Sequence, residues 1–221
     1  MTQDIRRMER AAGDAEPALM ERAGAAAAGI AATLAGDTAK DVLVLAGPGN
    51  NGGDAHVVAR LLKEMFFRVE VVSQVDQIPQ KPWGLVIDGL FGIGLARDIA
   101  GEHAALVDYA NRQPCPVLAL DIPSGLHSDT GRVLGRAVRA THTVTFIALK
   151  PGLLTLDGPD HSGEIIVSDL NLPVTELLAP TAWVAEPKLF RHLLKPRPRN
   201  FHKGMAGSLA ILGGAAGMTG A

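Results

Sequence analysis

The sequence predicts an α/β protein: a three-layer α/β/α sandwich with a mostly parallel central sheet and an N-terminal helical arm. Three observations predict it. Short apolar, β-branched runs alternate with segments of helical periodicity, the pattern of repeated βαβ units. The first such run passes into a helix through a glycine-rich segment, AGPGNNGGD. Two helical stretches precede that first strand.

In chain order, residues 4–12 and 17–34 read as the arm. The second stretch begins on Pro17, suited to a first helical turn, and sets Leu19, Ala23, Ala27, Ile30 and Leu34 on one face. Its alanines permit close helix packing, with a contact to a second subunit as the alternative. DVLVLAG (41–47) is a buried strand, and residues 54–66 form a helix with Val57, Val58, Leu61, Leu62 and Met65 on one side. RVEVVS (68–73) is a strand, and GLVIDGLFG (84–92) is a strand running into a loop. A helix follows at 102–112, then strand and loop at 116–125, then strands at 141–149 and 163–170. Proline-rich breaks lie at 173–180 and 195–200, and the closing SLAILGG reads as a strand entering a glycine-rich loop, the start of a further domain. The organisation expected is one domain over 1–190, then a linker and truncated second domain over 191–221.

Composition narrows the class. Of 221 residues, 47% are hydrophobic and 20% charged, with a net charge of −2 and no basic stripe, so a nucleic-acid partner is not expected. No apolar run is long enough to span a bilayer and no secretory signal is visible, so a cytoplasmic location is expected. The single cysteine, Cys115, excludes an internal disulfide framework and reads as a buried, inert thiol. The histidines have no metal-ligand spacing, and there is no G-x-S-x-G.

Gly47-Pro48-Gly49-Asn50-Asn51-Gly52 is a literal G-x-G-x-x-G on a Rossmann-like frame. A dinucleotide cradle of the ordinary dehydrogenase kind also needs an acid at the end of the second strand, but Ser73-Gln74 stands there. Asp54, expected as the N-cap of the following helix, would set a negative charge where a pyrophosphate binds. The asparagines offer both amide donors and carbonyl acceptors. Asp88 closes GLVID, and Asp121 closes VLALD and opens DIPSG. Strand ends after 46, 88 and 121 deliver polar groups to one sheet edge, where ligands bind in open parallel sheets. The oxygens of Asn51, Asp88 and Ser124 can together hold a hard cation.

GPGNNGGD, VIDGLFGIGL, DIPSG and LKPGL, with LMERAG in the arm, resemble the NAD(P)H-hydrate epimerase domain, also called the YjeF N-terminal domain. The resemblance covers roughly residues 1–190, and HKGMAGSLAILGGAAGMTGA is similar to the opening of an ADP-dependent NAD(P)H-hydrate dehydratase domain. It implies a bifunctional repair protein whose fused dehydratase part lies beyond residue 221. The family interconverts the R and S epimers of hydrated NADH and NADPH. The resemblance implies that Asn50, Asn51, Gly52, Gly53 and Asp54 bind the ligand, as do Gly92, Ile93, Gly94, Leu95, Ala96, Arg97 and Asp98. It implies a potassium ion on Asn51, Asp88 and Ser124, Asp121 at the nicotinamide end, and a homodimer formed through the arm. Ala55, His56, Gly89 and Ile93 depart from the commonest residues of the pattern.

Inverting a ring carbon that bears a hydroxyl next to nitrogen needs no redox step. An acid protonates the hydroxyl, the nitrogen lone pair expels it, and water returns to the other face of the planar iminium with help from a base. Asp121 is the candidate for both parts. Lys150 either tunes Asp121, binds phosphate, or is a structural surface residue. The alternatives to an epimerase are a non-catalytic binding or scaffold module, a kinase-like enzyme suggested by the glycine-rich tail, and an NAD-dependent oxidoreductase.

Overall fold

The structure, a computed structural model, describes residues 1–13, 16–180, 182–194 and 196–208. The chain forms two compact units, Met1–Ala179 and Pro180–Ala221. The described part of the second contains only short turns, such as helix Pro187–Phe190 and the 3₁₀ turn Lys203–Ala206, with no buried residue. The predicted tail strand falls outside the described residues, except for Ser208.

In the first unit, α1 (Thr2–Ala12) and α2 (Leu19–Ala35) precede β1 (Asp41–Ala46), α3 (Asn50–Glu64) and β2 (Arg68–Val72). Then come β3 (Leu85–Gly89), α4 (Gly101–Asn111), β4 (Val117–Leu120), β5 (His142–Phe146), α5 (Gly158–Ser162) and β6 (Glu164–Ser168). The six strands form one sheet in the order β2-β1-β3-β4-β5-β6, and every pair is parallel.

Side-chain alternation on these strands divides the core. Val42, Val44, Leu85, Ile87, Leu118 and Leu120 face the layer that holds α1, α2 and α3. Leu43, Leu45 and Val86 face α4 with Leu106, Val107 and Ala110. Because both faces are covered, β1, β3 and β4 are apolar almost throughout. The alanine stripe of α2 is used within the chain: Ala23, Ala27, Ala28, Ala31 and Ala35 are buried. A Cβ placed on Gly24 would come within 2.2 Å of Val57 on α3, so the two helices touch backbone to side chain.

Three expectations are corrected. Helix α2 begins at Leu19 with Ala18 as its N-cap, so Pro17 precedes the helix and is not in its first turn. The helix after the glycine loop begins at Asn50, not Asp54, and Gly49 in an extended conformation is its N-cap. Asp54 therefore lies inside the helix and caps nothing. Helix α5, immediately before β6, has no counterpart in the sequence pattern.

Candidate active site

The strand order reverses between β1 and β3, where a crevice opens at the carboxyl edge of such a sheet. Here it is a cavity of about 690 Å³. The start of α3 contributes Asn50, Asn51 and Asp54, the loop after β3 contributes residues 90–97, and Asp121 follows β4. Phe146 and Ile147 come from β5 and its end, and the arm adds Ile5, Arg6, Glu9 and Met20. The arm is fixed against the first unit by the burial of Ile5 and Met8. Its first residue is tied to the long β4–β5 connection, where Thr2 Oγ1 lies 2.6 Å from Ser128 Oγ and the Thr2 N–H donates to Asp129.

Asp121 follows β4 directly with φ of 66°, the left-handed region. Aspartate tolerates it better than most residues, yet such a conformation stores about 1–3 kcal/mol and concentrates at functional sites. Ile147, at the equivalent place after β5, has φ of 68°, rarer still for a β-branched side chain. Lys150 Nζ donates to Asp121 Oδ1 and, at 2.6 Å, to the Phe146 carbonyl. The Phe146 N–H donates to the same carboxylate oxygen at 3.4 Å. Lys150 is 1% exposed, the largest fully buried side chain among the described residues. It is not a surface lysine, and it does not line the cavity: its ammonium is held by Asp121 and a carbonyl.

Two further carboxyl groups share the cavity. Burial, then the charges of Asp121 and Glu9, push Asp54 up to about 7 against the opposing pull of Lys150. Its carboxylate makes no hydrogen bond among the described residues. Glu9 is also raised, first by burial and then by Asp121. One carboxylate thus sits in a buried ion pair, while another is unpaired and holds its proton near neutrality.

Asn51 is the other unbalanced group. It is buried, and neither its amide nitrogen nor its oxygen has a hydrogen-bond partner among the described residues. A buried polar group left without a bond costs about 1–3 kcal/mol, so this amide is poised for a ligand. A Cβ on Gly92 would stand 3.4 Å from both Asn51 Oδ1 and Asp121 Oδ2. Glycine there leaves room between the amide and the carboxylate.

Behind the cavity wall, Asp88 is completely buried. Its oxygens accept from Ser124 Oγ at 2.6 Å, Ser124 N at 2.8 Å and Leu90 N at 3.2 Å. Burial pushes its carboxyl up to about 6 despite those bonds. With the open Asn51 oxygen, the set is all oxygen with one buried carboxylate, the chemistry of a hard-cation site. No cluster of three His, Cys, Asp or Glu side chains able to hold a metal exists among the described residues.

Of the expected ligand residues, Asn50, Asn51, Asp54, Gly92, Ile93, Gly94, Leu95, Ala96, Arg97 and Asp121 line the cavity. Gly52, Gly53 and Asp98 do not. A Cβ on Gly52 would meet the Gly47 carbonyl at 1.8 Å, and one on Gly53 would meet Met20, so these glycines serve packing of the turn and of α2. Asp98 is exposed, beside Gly135. Arg6 and Glu9 are cavity residues that no motif announced.

The chain is similar to known proteins. The family model for the YjeF-related protein N-terminus matches residues 16–82 and 72–152. A protein of Escherichia coli K12 named bifunctional NAD(P)H-hydrate repair enzyme Nnr is 38% identical, over 99% of this chain and 48% of its own length. A Bordetella pertussis protein named NAD(P)H-hydrate epimerase is 41% identical, over 77% of this chain and 86% of its own. The chain spans about half the length of the bifunctional curated relatives it matches. Among solved structures, yeast ynu0, YNL200c, superposes with a TM-score of 0.62 at 19% identity, over 84% of this chain and 96% of that one, and shares the fold.

Proposed function

The chain belongs to the family of the YjeF-related protein N-terminus, and from that membership and the groups in the cavity we propose that it is an isomerase that interconverts the R and S epimers of hydrated NADH and NADPH. The observation that carries the proposal is the juxtaposition of a lysine-paired carboxylate, Asp121, with an unpaired, proton-holding carboxyl, Asp54, in one cavity. A carboxyl raised by burial is suited to give a proton, and a second carboxylate in the same cavity is placed to take one.

The chemistry follows from those two states. Asp54 gives its proton to the ring hydroxyl, which leaves as water when the ring nitrogen supplies its lone pair. The planar iminium then takes water on the opposite face. Asp121, paired with the buried Lys150 ammonium, accepts the proton of that water. The roles exchange in the reverse direction, so no proton or electron is gained or lost overall. The open amide of Asn51 is suited to a polar group of the substrate on its donor side.

A potassium ion belongs to the same proposal. Asn51, Asp88 and Ser124 would hold it, and it would fix those oxygens in place at the edge of the cavity and position an oxygen of the substrate. Support comes from the orphaned Asn51 oxygen and from the burial of Asp88 without a cation of the chain beside it. We also propose that the protein is a cytoplasmic homodimer that works with a dehydratase; the bifunctional names of the longer relatives support a second, fused activity. No helix among the described residues is long and apolar enough to cross a membrane.

The test is recovery of NADH absorbance from the R epimer in the presence of an S-specific dehydratase and its nucleotide. Addition of this protein is expected to accelerate recovery well beyond the spontaneous rate. An unchanged rate in potassium buffer would remove the enzyme assignment.

A further inference from the structure

Asn51 and Asp121 stand beside Gly92, and two arginines, Arg6 and Arg97, line the same cavity with Glu9 and Asp54. Within 4 Å of a Cβ placed on Gly94, the only heavy atom of the described residues beyond its immediate chain neighbours is Arg6 Nη2, at 3.7 Å. The space over Gly94 is therefore open except for one guanidinium. Arg6 has no ion-pair or hydrogen-bond partner among the described residues, although its helix is held in place by Ile5, Met8 and Thr2. A fixed helix presenting an unpaired guanidinium across from a side-chain-free backbone is the arrangement a phosphate group needs.

Gly92, beside Asp121, and Gly94, beneath Arg6, are two residues apart, so at most about 7 Å separates their Cα atoms. A reduced nicotinamide ring and its nearest phosphate are separated by one ribose, a comparable reach. The 2′-phosphate of the phosphorylated cofactor sits on the far, adenosine side. We propose that Arg6, from the N-terminal arm, binds the phosphate attached to the nicotinamide ribose, making the arm part of the substrate site and not only a packing element. The proposal rests on the function proposed above and adds a residue and a substrate group to it.

The experiment compares wild type and Arg6→Ala for binding of two probes, reduced nicotinamide mononucleotide and reduced nicotinamide riboside, which differ by that phosphate alone. Arg6 is exposed and unpaired, so its removal is expected to leave the melting temperature unchanged. Wild type is expected to bind the mononucleotide about tenfold more tightly than the variant does, the scale of a hydrogen bond to a charged group, with equal affinities for the riboside. Arg6→Lys should restore part of the difference. In turnover, the variant should raise KM by similar factors for hydrated NADH and hydrated NADPH. Equal loss for both probes, or no loss for either, overturns the proposal, as does a KM effect confined to hydrated NADPH. Failure of wild type to bind either probe would contradict the nicotinamide site itself and remove the proposal with it.

Discussion

Asp121 combines three unusual conditions: a left-handed backbone, a buried ammonium partner and an opening to the cavity. Lys150→Met should leave that carboxylate without its counter-charge. Removing one partner of a buried pair costs about 3–5 kcal/mol, and the lower end is expected because Asp121 faces the cavity. Chemical denaturation measures it, and a variant as stable as wild type would show that the pair contributes no net stability. Asp54 gives a pH-dependent prediction. Its pKa is raised from 3.8 to about 7. Its contribution to stability is therefore fully present below about 4 and is lost as pH rises through about 7. Asp54→Asn cannot ionise, so its melting temperature relative to wild type should improve between pH 4 and pH 8. Its turnover should be severely reduced at every pH. A stability difference that does not change with pH would mean that Asp54 has an ordinary carboxyl pKa.

Helix α2 offers a matched pair of glycine tests, because its two interior glycines sit in opposite surroundings. At Gly29 a Cβ would meet nothing within 4 Å, and the backbone is ordinary helix. Gly29→Ala should stabilise by about 0.5–1 kcal/mol through helix propensity. At Gly24 the same change drives a methyl into Val57 at 2.2 Å. Gly24→Ala should destabilise by about 1–3 kcal/mol through overpacking. Thermal melts of the two variants should move in opposite directions, and a shared direction would contradict the α2–α3 packing. The same kind of packing explains what the sequence pattern missed at this scale. The alternation of periods 2 and 3.6 identified every strand of the sheet, with ends misplaced by a few residues, because that signal is carried by local spacing. The start of α3 was misplaced because Gly52 and Gly53 are poor helix formers and Asp54 is a good cap. A tertiary contact, Gly52 against the Gly47 carbonyl, overrides both preferences. Strand β5 was read to residue 149, whereas it ends at Phe146, where Ile147 turns into the left-handed region. Nothing in an isoleucine announces that.

Across the whole molecule, the candidate site was legible to the extent that it lies at strand ends. Asn51, Asp88 and Asp121 follow β1, end β3 and follow β4, and parallel pairing brings such positions to one edge. Arg6 and Glu9 were not legible, because an amphipathic arm does not reveal which part of the sheet it covers. Lys150 was read as three alternatives, since its burial depends on the turn after β5. The oxygen set behind the cavity gives a prediction at this scale. Potassium should raise the melting temperature in a concentration-dependent way at constant ionic strength, as a ligand bound only by the folded state does. Asn51→Ala should abolish the increment. Equal effects of potassium and a bulky organic cation would show that no specific site exists.

The central claim is that this cavity inverts the hydrated ring through Asp121. The most direct measurement starts from the purified S epimer of hydrated NADH, without dehydratase, and follows the appearance of the R epimer by chromatography for wild type and for Asp121→Asn, after confirming that the variant retains its melting transition. Wild type should bring the two epimers to equilibrium rapidly, and the variant should be slower by about 10²–10⁴-fold, the scale of a lost acid–base group. A folded Asp121→Asn protein that equilibrates the epimers at the wild-type rate would contradict the account.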